Sequence, residues 1–375
     1  MFIKQFRFEP KYVDDFIQFG YDLYKDDKKW VPPFKKEIKL QLSEEFPFYN
    51  IDGNNHCNFL LQKNGLHCGR ATAIINKDLS DKNNQAVGTI GFFECQNNYS
   101  YAKILLENTV KWFKDNKIRK IWGPMNFDIW HDYRFMTKGF DHNIFYGEPY
   151  NHSYYPTFFE QFGFKTKAEF DSVEINDKNI LQEMTIKGEK RYNLLIERGY
   201  RFEFADVKKD PAIIEKLHKI LMSSFNQFLG FTPISVNDFG KLFQKATYAL
   251  HPKMFVLAYN NKNELAGFAI ALIELADAIR SMNGENNLVA NLKFSYLKNR
   301  AKKINFYIGG VTPEEMSNRS GLGRAGFYVI VNEILKAGYK TMLLTLRLKG
   351  NAAHGLPGRL SPIPQKEYKL YELEI

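Results

Sequence analysis

Apolar residues recur along this chain in two patterns, every second position and every third or fourth, and the patterns alternate in a fixed order. The stretch FIKQFRFEP reads as a strand, and Val13, Phe16, Ile17 and Phe19 then mark one face of a helix. FLLQKNGLHCGRATAII follows as two apolar strands around Asn64-Gly65, a dipeptide suited to the tight turn of a hairpin. A strand near Val87–Phe93, a helix through Ile104, Leu105, Val110 and Trp112, and a strand in IRKIWG complete the series.

The same order returns in the second half. A strand spans Arg201–Phe204, a helix carries Ile213, Ile214 and Leu217, and FVLAYNNKNELAGFAIAL supplies a second strand pair. A strand in NFYIGGV, an amphipathic helix and a strand in YKTMLLTL close it. Both hairpins carry Gly-x-Ala-x-Ala, at Gly69, Ala71 and Ala73 and at Gly267, Ala269 and Ala271. Ile90 and Ile308 are 218 positions apart and Ile121 and Met342 are 221 apart, a nearly constant offset. The plan β-α-β-β-β-α-β therefore occurs twice. It predicts an α/β (α+β) protein of two domains, 1–178 and 188–375. The polar stretch INDKNILQEMTIKGEKR, near residues 176–190, joins them, with Arg191–Arg198 as a helical bridge. Pro124–Phe164 and Leu275–Ala301 read as insertions.

Composition agrees with this division. A length of 375 residues suits two domains, and 44% apolar with 15% aromatic residues is ample for two cores. No run of about 18 apolar residues is present, so no membrane span is expected. The opening lacks the apolar segment of a signal peptide. Cys57, Cys68 and Cys95 form an odd set without metal-ligand spacing. Together these features predict a cytoplasmic protein with no disulfide framework and no metal. The net charge of +10 reads first as compositional bias, since lysine and asparagine are spread along the whole chain. It still favours anionic ligands such as nucleotides, tRNA or lipid headgroups.

Candidate chemistry concentrates in Asn305–Gly326. An apolar strand at Phe306, Tyr307 and Ile308 leads to Pro313, then to a loop with Asn318, Arg319, Ser320, Gly321 and Gly323. A helix follows with Phe327, Ile330, Val331, Ile334 and Leu335 on one face. Strand, glycine loop and helix start turn backbone N–H groups and the positive helix end toward a phosphate. The equivalent place in the first half, ECQNNYS, has no glycine and carries Glu94. A pyrophosphate cradle is expected in the second half alone.

Val311-Thr312-Pro313 and Asn318-Arg319-Ser320-Gly321-Leu322-Gly323 resemble the signature of the GCN5-related N-acetyltransferase (GNAT) superfamily. Pro313 precedes Gly321 by eight positions, two more than the usual spacing. Over nearly the whole chain the sequence is similar to a bacterial group with tandem GNAT-like domains. GRATAIIN (69–76), GFFE (91–94), IWGPMNFD (121–128), KGFD (138–141), EPYNHSYYPTFFEQFGF (148–164) and the closing KEYKLYELEI carry the likeness. The resemblance implies two GNAT-like domains, each a mixed, mostly antiparallel sheet flanked by helices. It also implies acetyl-CoA or another acyl-CoA as co-substrate, bound through Val311, Thr312, Asn318, Arg319, Ser320, Gly321, Leu322, Gly323 and Arg324. Amides of residues 319–324 would hold the pyrophosphate, and the acyl group would pass to an amine by direct attack.

Glu274, at the end of the strand from Gly267, is the candidate general base. His354 and the pair His131–Asp132 are further candidates. No tyrosine lies between Tyr339 and Tyr368, so the superfamily's usual tyrosine acid has no counterpart there. The run WGPMNFDIWHDY with GEPYNHSYYPTFF suits an acceptor pocket lined by Asn126, Tyr150, Asn151 and Tyr154, and equally a scaffold between domains. NLKFSYLKNRAKK reads as a basic helix, solvated by default, or facing the CoA 3′-phosphate, tRNA or acidic lipid. Two other functions stay open: an aminoacyl-tRNA-dependent peptidyltransferase and a non-catalytic acyl-CoA sensor or scaffold.

Overall fold

The computed structural model describes residues 1–207, 210–351 and 363–375. The first copy of the plan runs β1 (Phe2–Phe6), α1 (Pro10–Leu23), α2 (Lys35–Gln41), β2 (Asn55–Lys63), β3 (Leu66–Ser80), β4 (Ala86–Cys95), α3 (Tyr99–Asp115) and β5 (Lys120–Gly123). The first insertion contributes β6 (Phe135–Lys138) and α4 (Tyr155–Phe162), and β7 (Lys165–Ile175) ends the half. The second copy runs α5 (Lys178–Glu197), β8 (Arg201–Phe204), α6 (Ile213–Ser224), α7 (Val236–Ala246), β9 (Leu250–Tyr259) and β10 (Leu265–Ile273). Then come α8 (Ala276–Arg280), α9 (Leu288–Lys298), β11 (Lys303–Val311), α10 (Pro313–Ser317), α11 (Leu322–Lys336), β12 (Thr341–Leu348) and β13 (Lys366–Glu374).

Local sequence explains the joints. Asn64 (φ 51°) and Gly65 (φ 80°) both take the left-handed conformation that a two-residue hairpin turn demands. The stretch read as a polar join is a packed helix instead. Asp177 caps α5, its side chain accepting from the Asn179 N–H at 2.8 Å. Leu181, Met184 and Leu195 then line an inner face of α5, which packs on α11. Its apolar stripe is thin because the remaining surface is solvated.

All the described strands lie in one sheet, in the order β1-β2-β3-β4-β5-β13-β7-β12-β11-β10-β9-β8, with β6 pairing β13 to one side. Each copy is antiparallel until its last pair, β4–β5 and β11–β12, which is parallel. The closing strands are exchanged between copies. β13, from the chain end, pairs β5 of the first copy, while β7, from the chain middle, pairs β12 of the second. Helix α3 covers one core with Phe59, Leu105, Phe113 and Phe159, and α11 covers another with Val256, Ala271, Phe327, Ile330 and Ile334. Each of these side chains larger than alanine contributes roughly 1.5–3 kcal/mol by leaving water. The three cysteines are free and buried. No helix among the described residues is long and apolar enough to cross a membrane.

Candidate active site

Two parallel pairs make two forks. In the second copy, β11 pairs β12 only from Lys303↔Thr341 to Phe306↔Leu344. Tyr307 is then an extra residue relative to β10, because Phe306 faces Ala271 and Ile308 faces Ile270. On the other side β12 turns away at Leu346 (φ 53°), whose N–H donates to Ser172 Oγ of β7 at 3.0 Å. The vertex is tied by buried Asn305, whose Nδ2 donates to Thr345 Oγ1 at 3.0 Å.

Beyond the vertex, β11 leads into the glycine loop. Val311 O accepts from Ser224 Oγ at 2.6 Å, and the Thr312 N–H donates to Ala266 O at 2.8 Å. Thr312 caps α10, so the two extra residues of the loop are accommodated in an added helical turn. Several loop amides are spent internally. Those of Asn318, Arg319 and Ser320 donate to carbonyls of Glu314, Met316 and Glu315. The Leu322 amide donates to Ser320 Oγ at 3.2 Å, and that of Arg324 to Gly321 O at 3.1 Å. Among the described residues, the Gly321 and Gly323 amides have no protein acceptor. The expected cradle of amides 319–324 thus narrows to these two.

Helix α11 begins at a glycine, Gly321 (φ 79°), with no side-chain cap. A Cβ on Gly321 would sit 2.6 Å from the Arg191 side chain, which α5 lays over the loop. Gly323 is exposed, and a Cβ there would meet nothing nearer than Val311 Cγ1 at 3.9 Å. A helix start with a glycine N-cap and open space at Gly323, with Arg319, Arg324 and Arg191 close by, fits a phosphate group. One carboxylate stands close in sequence. Buried Glu315 accepts from Tyr200 OH at 2.8 Å, and its other oxygen has no partner.

The first-copy fork is closed. β4 and β5 pair over Val87–Thr89, after which the Met125 N–H donates to Ile90 O at 2.8 Å. Asn126 Oδ1 accepts from the Phe92 N–H at 2.8 Å. Asn98 caps α3 by accepting from the Ser100 N–H. Glu94 is enclosed by Tyr24 OH (2.8 Å), Tyr155 OH (2.7 Å) and Arg70 (3.8 Å). Burial pushes its carboxyl up while Arg70 pulls it down.

The other predicted residues divide. Tyr150 OH donates to Asp27 Oδ2 at 2.7 Å, and Tyr154 OH to Cys95 O at 2.8 Å. Asn151 is spent on Met136 and His152 backbone groups. Asn126, Tyr150, Asn151 and Tyr154 thus all brace the first copy, and the structure does not bring them together at the second fork. Glu274 stands where the copies meet. Its carboxylate accepts from the Tyr146 N–H at 3.0 and 3.2 Å and from the Ala276 N–H at 2.6 Å. Desolvation pushes its pKa up to about 7. Tyr146 shares its electrostatic surroundings with Tyr307, Glu37, Asp132 and Glu274. Tyr146 and Tyr307 are 37% and 53% exposed.

His131 pairs with Asp128 rather than with Asp132. Its Nδ1 donates to Asp128 Oδ1 at 2.8 Å, and Asp128 Oδ2 accepts from Thr232 Oγ1 of the second copy at 2.7 Å. The sequence holds Asp128 three positions before His131, so the pair was findable. Arg191 was not, because only the fold returns α5 to the loop. His354 lies outside the described residues.

Comparison with known proteins places this architecture. No protein-family profile matches the chain. Protein YghO of Escherichia coli (strain K12) is 22% identical over 375 residues, covering 96% of this chain and 92% of that protein. A tandem GNAT protein from the clavulanic acid biosynthesis pathway superimposes with TM-score 0.52 at 9% identity, over 100% of this chain and 98% of that one. The fold is a tandem GNAT fold. The GCN5-related glucosamine N-acetyltransferase region of a fungal multi-domain β-N-acetylglucosaminidase gives TM-score 0.54 at 12% identity, over 99% of this chain and 38% of that longer one. Within the tandem GNAT fold, the open fork and the uncapped helix start both fall in the second copy.

Proposed function

We propose that this chain is an acyl-CoA-dependent N-acyltransferase, with acetyl-CoA as the donor to try first, acting by direct attack of an amine. The supporting observation is the coincidence, in one copy alone, of an open parallel fork with an uncapped helix start at Gly321. In this reading residues 188–375 hold the donor, and residues 1–178 shape the acceptor side. The Gly321 and Gly323 amides with Arg324 and Arg319 receive the phosphates. Amides of β11 past Phe306, which have no partner on β12, are available to polarise the acyl carbonyl. Glu274, with its pKa of about 7, takes the proton of the attacking amine. His131, oriented by Asp128, is the second proton-handling group. The same reading implies a cytoplasmic protein.

Thermal shift with CoA, acetyl-CoA and longer acyl-CoAs, followed by thiol release with a panel of amines, tests this. Stabilisation with amine-dependent thiol release is expected. Stabilisation without release under any amine would point to an acyl-CoA sensor. No response to any CoA, with a steeply salt-dependent tRNA affinity instead, would turn the assignment to aminoacyl-tRNA chemistry.

A further inference from the structure

Helix α9 sits in the connection between β10 and β11, and no step of the proposed reaction uses it. Its inner side packs on the second copy through Phe294 and Leu297, with Ala290 buried. Its outer side is apolar as well. Leu288 is 76% exposed, Val289 61%, Leu292 64% and Tyr296 58%. At about 100° per residue these four fall within an arc of about 100°, roughly opposite the buried arc. Large apolar side chains stacked on one exposed helix face are unusual for a surface left in water.

The charge around this stripe has one sign. From Asn286 to Pro313 the chain has no Asp or Glu, while Lys293, Lys298, Arg300 and Lys302 are present. None of these four makes an ion pair among the described residues. Lys303, by contrast, is neutralised by Glu174 at 2.8 Å. Arg300 lies over the Tyr296 ring at 4.7 Å, which places a cation beside the apolar stripe.

We propose that α9 docks this protein on an anionic lipid surface. Leu288, Val289, Leu292 and Tyr296 enter the headgroup–acyl boundary, and Lys293, Lys298, Arg300 and Lys302 remain among the lipid phosphates. Burial of the apolar stripe supplies one part of the attraction and the unpaired cations the other, the combination by which an interfacial helix binds. Nucleic acid fits the cations but offers nothing to Leu288, Val289 and Leu292, which have no stacking face. A second copy of this chain in an isologous contact would set the same cations against one another.

The test is co-sedimentation of the full chain with phosphatidylcholine vesicles and with vesicles doped with phosphatidylglycerol. The chain is expected to pellet with the doped vesicles, and salt should weaken this. The variant Leu292→Glu with Tyr296→Glu alters exposed side chains only, so its melting temperature should match the parent. Its partitioning should fall by about tenfold or more for each side chain replaced. Replacing Lys293, Lys298 and Arg300 with Gln should weaken binding and flatten its salt dependence. Failure of the parent chain to bind doped vesicles overturns the proposal, as does equal binding by the Leu292→Glu/Tyr296→Glu variant. Self-association that this variant abolishes, without vesicle binding, would assign the face to a second copy. RNA binding without vesicle binding would overturn the proposal and assign the cations of α9 to nucleic acid.

Discussion

In the first copy β4 and β5 part after Thr89, and Met125 and Asn126 at once fill the gap with hydrogen bonds to Ile90 and Phe92. In the second copy β11 and β12 part after Phe306, and Asn305–Thr345 ties the vertex alone. The helices behind the forks differ in the same sense. Asn98 caps α3 with its own side chain, whereas the N-cap of α11 is Gly321, which has none to offer, and Ser320 Oγ takes only the Leu322 amide. The strand before each fork ends differently too. The interval from Gly69 to Asn76 equals that from Gly267 to Glu274, so buried, neutral Asn76 stands where the second copy has an ionisable Glu274. One topology thus serves as scaffold in one copy and as candidate site in the other, through a few side chains rather than through the fold.

The contrast is most exposed to failure at Gly323. An aspartate there meets open space and should favour the helix start, since acidic residues stabilise a helix N-terminus. It should also repel phosphate. Gly323→Asp is expected to lower CoA affinity about a hundredfold, or ~3 kcal/mol, while the melting temperature holds or rises. Calorimetric titration with CoA checks the first and thermal unfolding the second. Retained affinity would remove the assigned role of this helix start. Gly321→Val is a poorer probe, because φ 79° and the Arg191 side chain oppose any Cβ whether or not ligand binds.

Glu274→Gln comes next, at about a hundredfold in rate if Glu274 is the base. For the native chain the rate should rise as pH passes about 7, and the variant should lose that inflection. The stability sign is opposite to that of a salt-bridged carboxylate. The folded pKa of about 7 exceeds the ordinary glutamate value of 4.5, so the folded chain holds the extra proton between those values. Stability therefore falls as pH rises through that window, and the cost is complete above it. Glu274→Gln should flatten the melting temperature across that window. A variant that keeps the inflection would remove Glu274 as the base.

Much of this was legible because hydrophobic periodicity and turn chemistry are local. The repeat, the hairpin at Asn64-Gly65 and the strand–loop–helix at Gly321 all follow from neighbours in sequence. The exchange of β7 and β13 was not legible, since an amphipathic strand pairs equally well with either copy's edge. Only the end of helix α5, from Arg191, was read as helical, because its buried positions Leu181, Met184 and Leu195 are sparse among polar residues. Tyr150, Asn151 and Tyr154 suit a pocket or a scaffold equally by residue type. Their partners Asp27, Met136 and Cys95 come from separate elements that sequence spacing does not align.

Closing the first fork should be a matter of stability alone. Asn126→Ala leaves the Phe92 N–H without its acceptor and should cost about 2 kcal/mol in urea unfolding, with CoA affinity unchanged. A parallel loss of CoA affinity would show that the exchanged strands couple the two forks.

The smallest expected effect belongs to the cap on α3. Asn98→Ala removes the acceptor of the Ser100 N–H and should cost about 1 kcal/mol. It also bares the first-copy helix start, so the question is whether an uncapped start alone makes an anion site. Glu94 lies four residues earlier, buried against Tyr24, Tyr155 and Arg70, and the fork in front of α3 stays filled by Asn126 and Met125. A free helix end is therefore insufficient, and no second CoA should bind. Titration of Asn98→Ala to a stoichiometry of one CoA would support this. Two CoA per chain would show that the cap, rather than the filled fork, is what separates the copies.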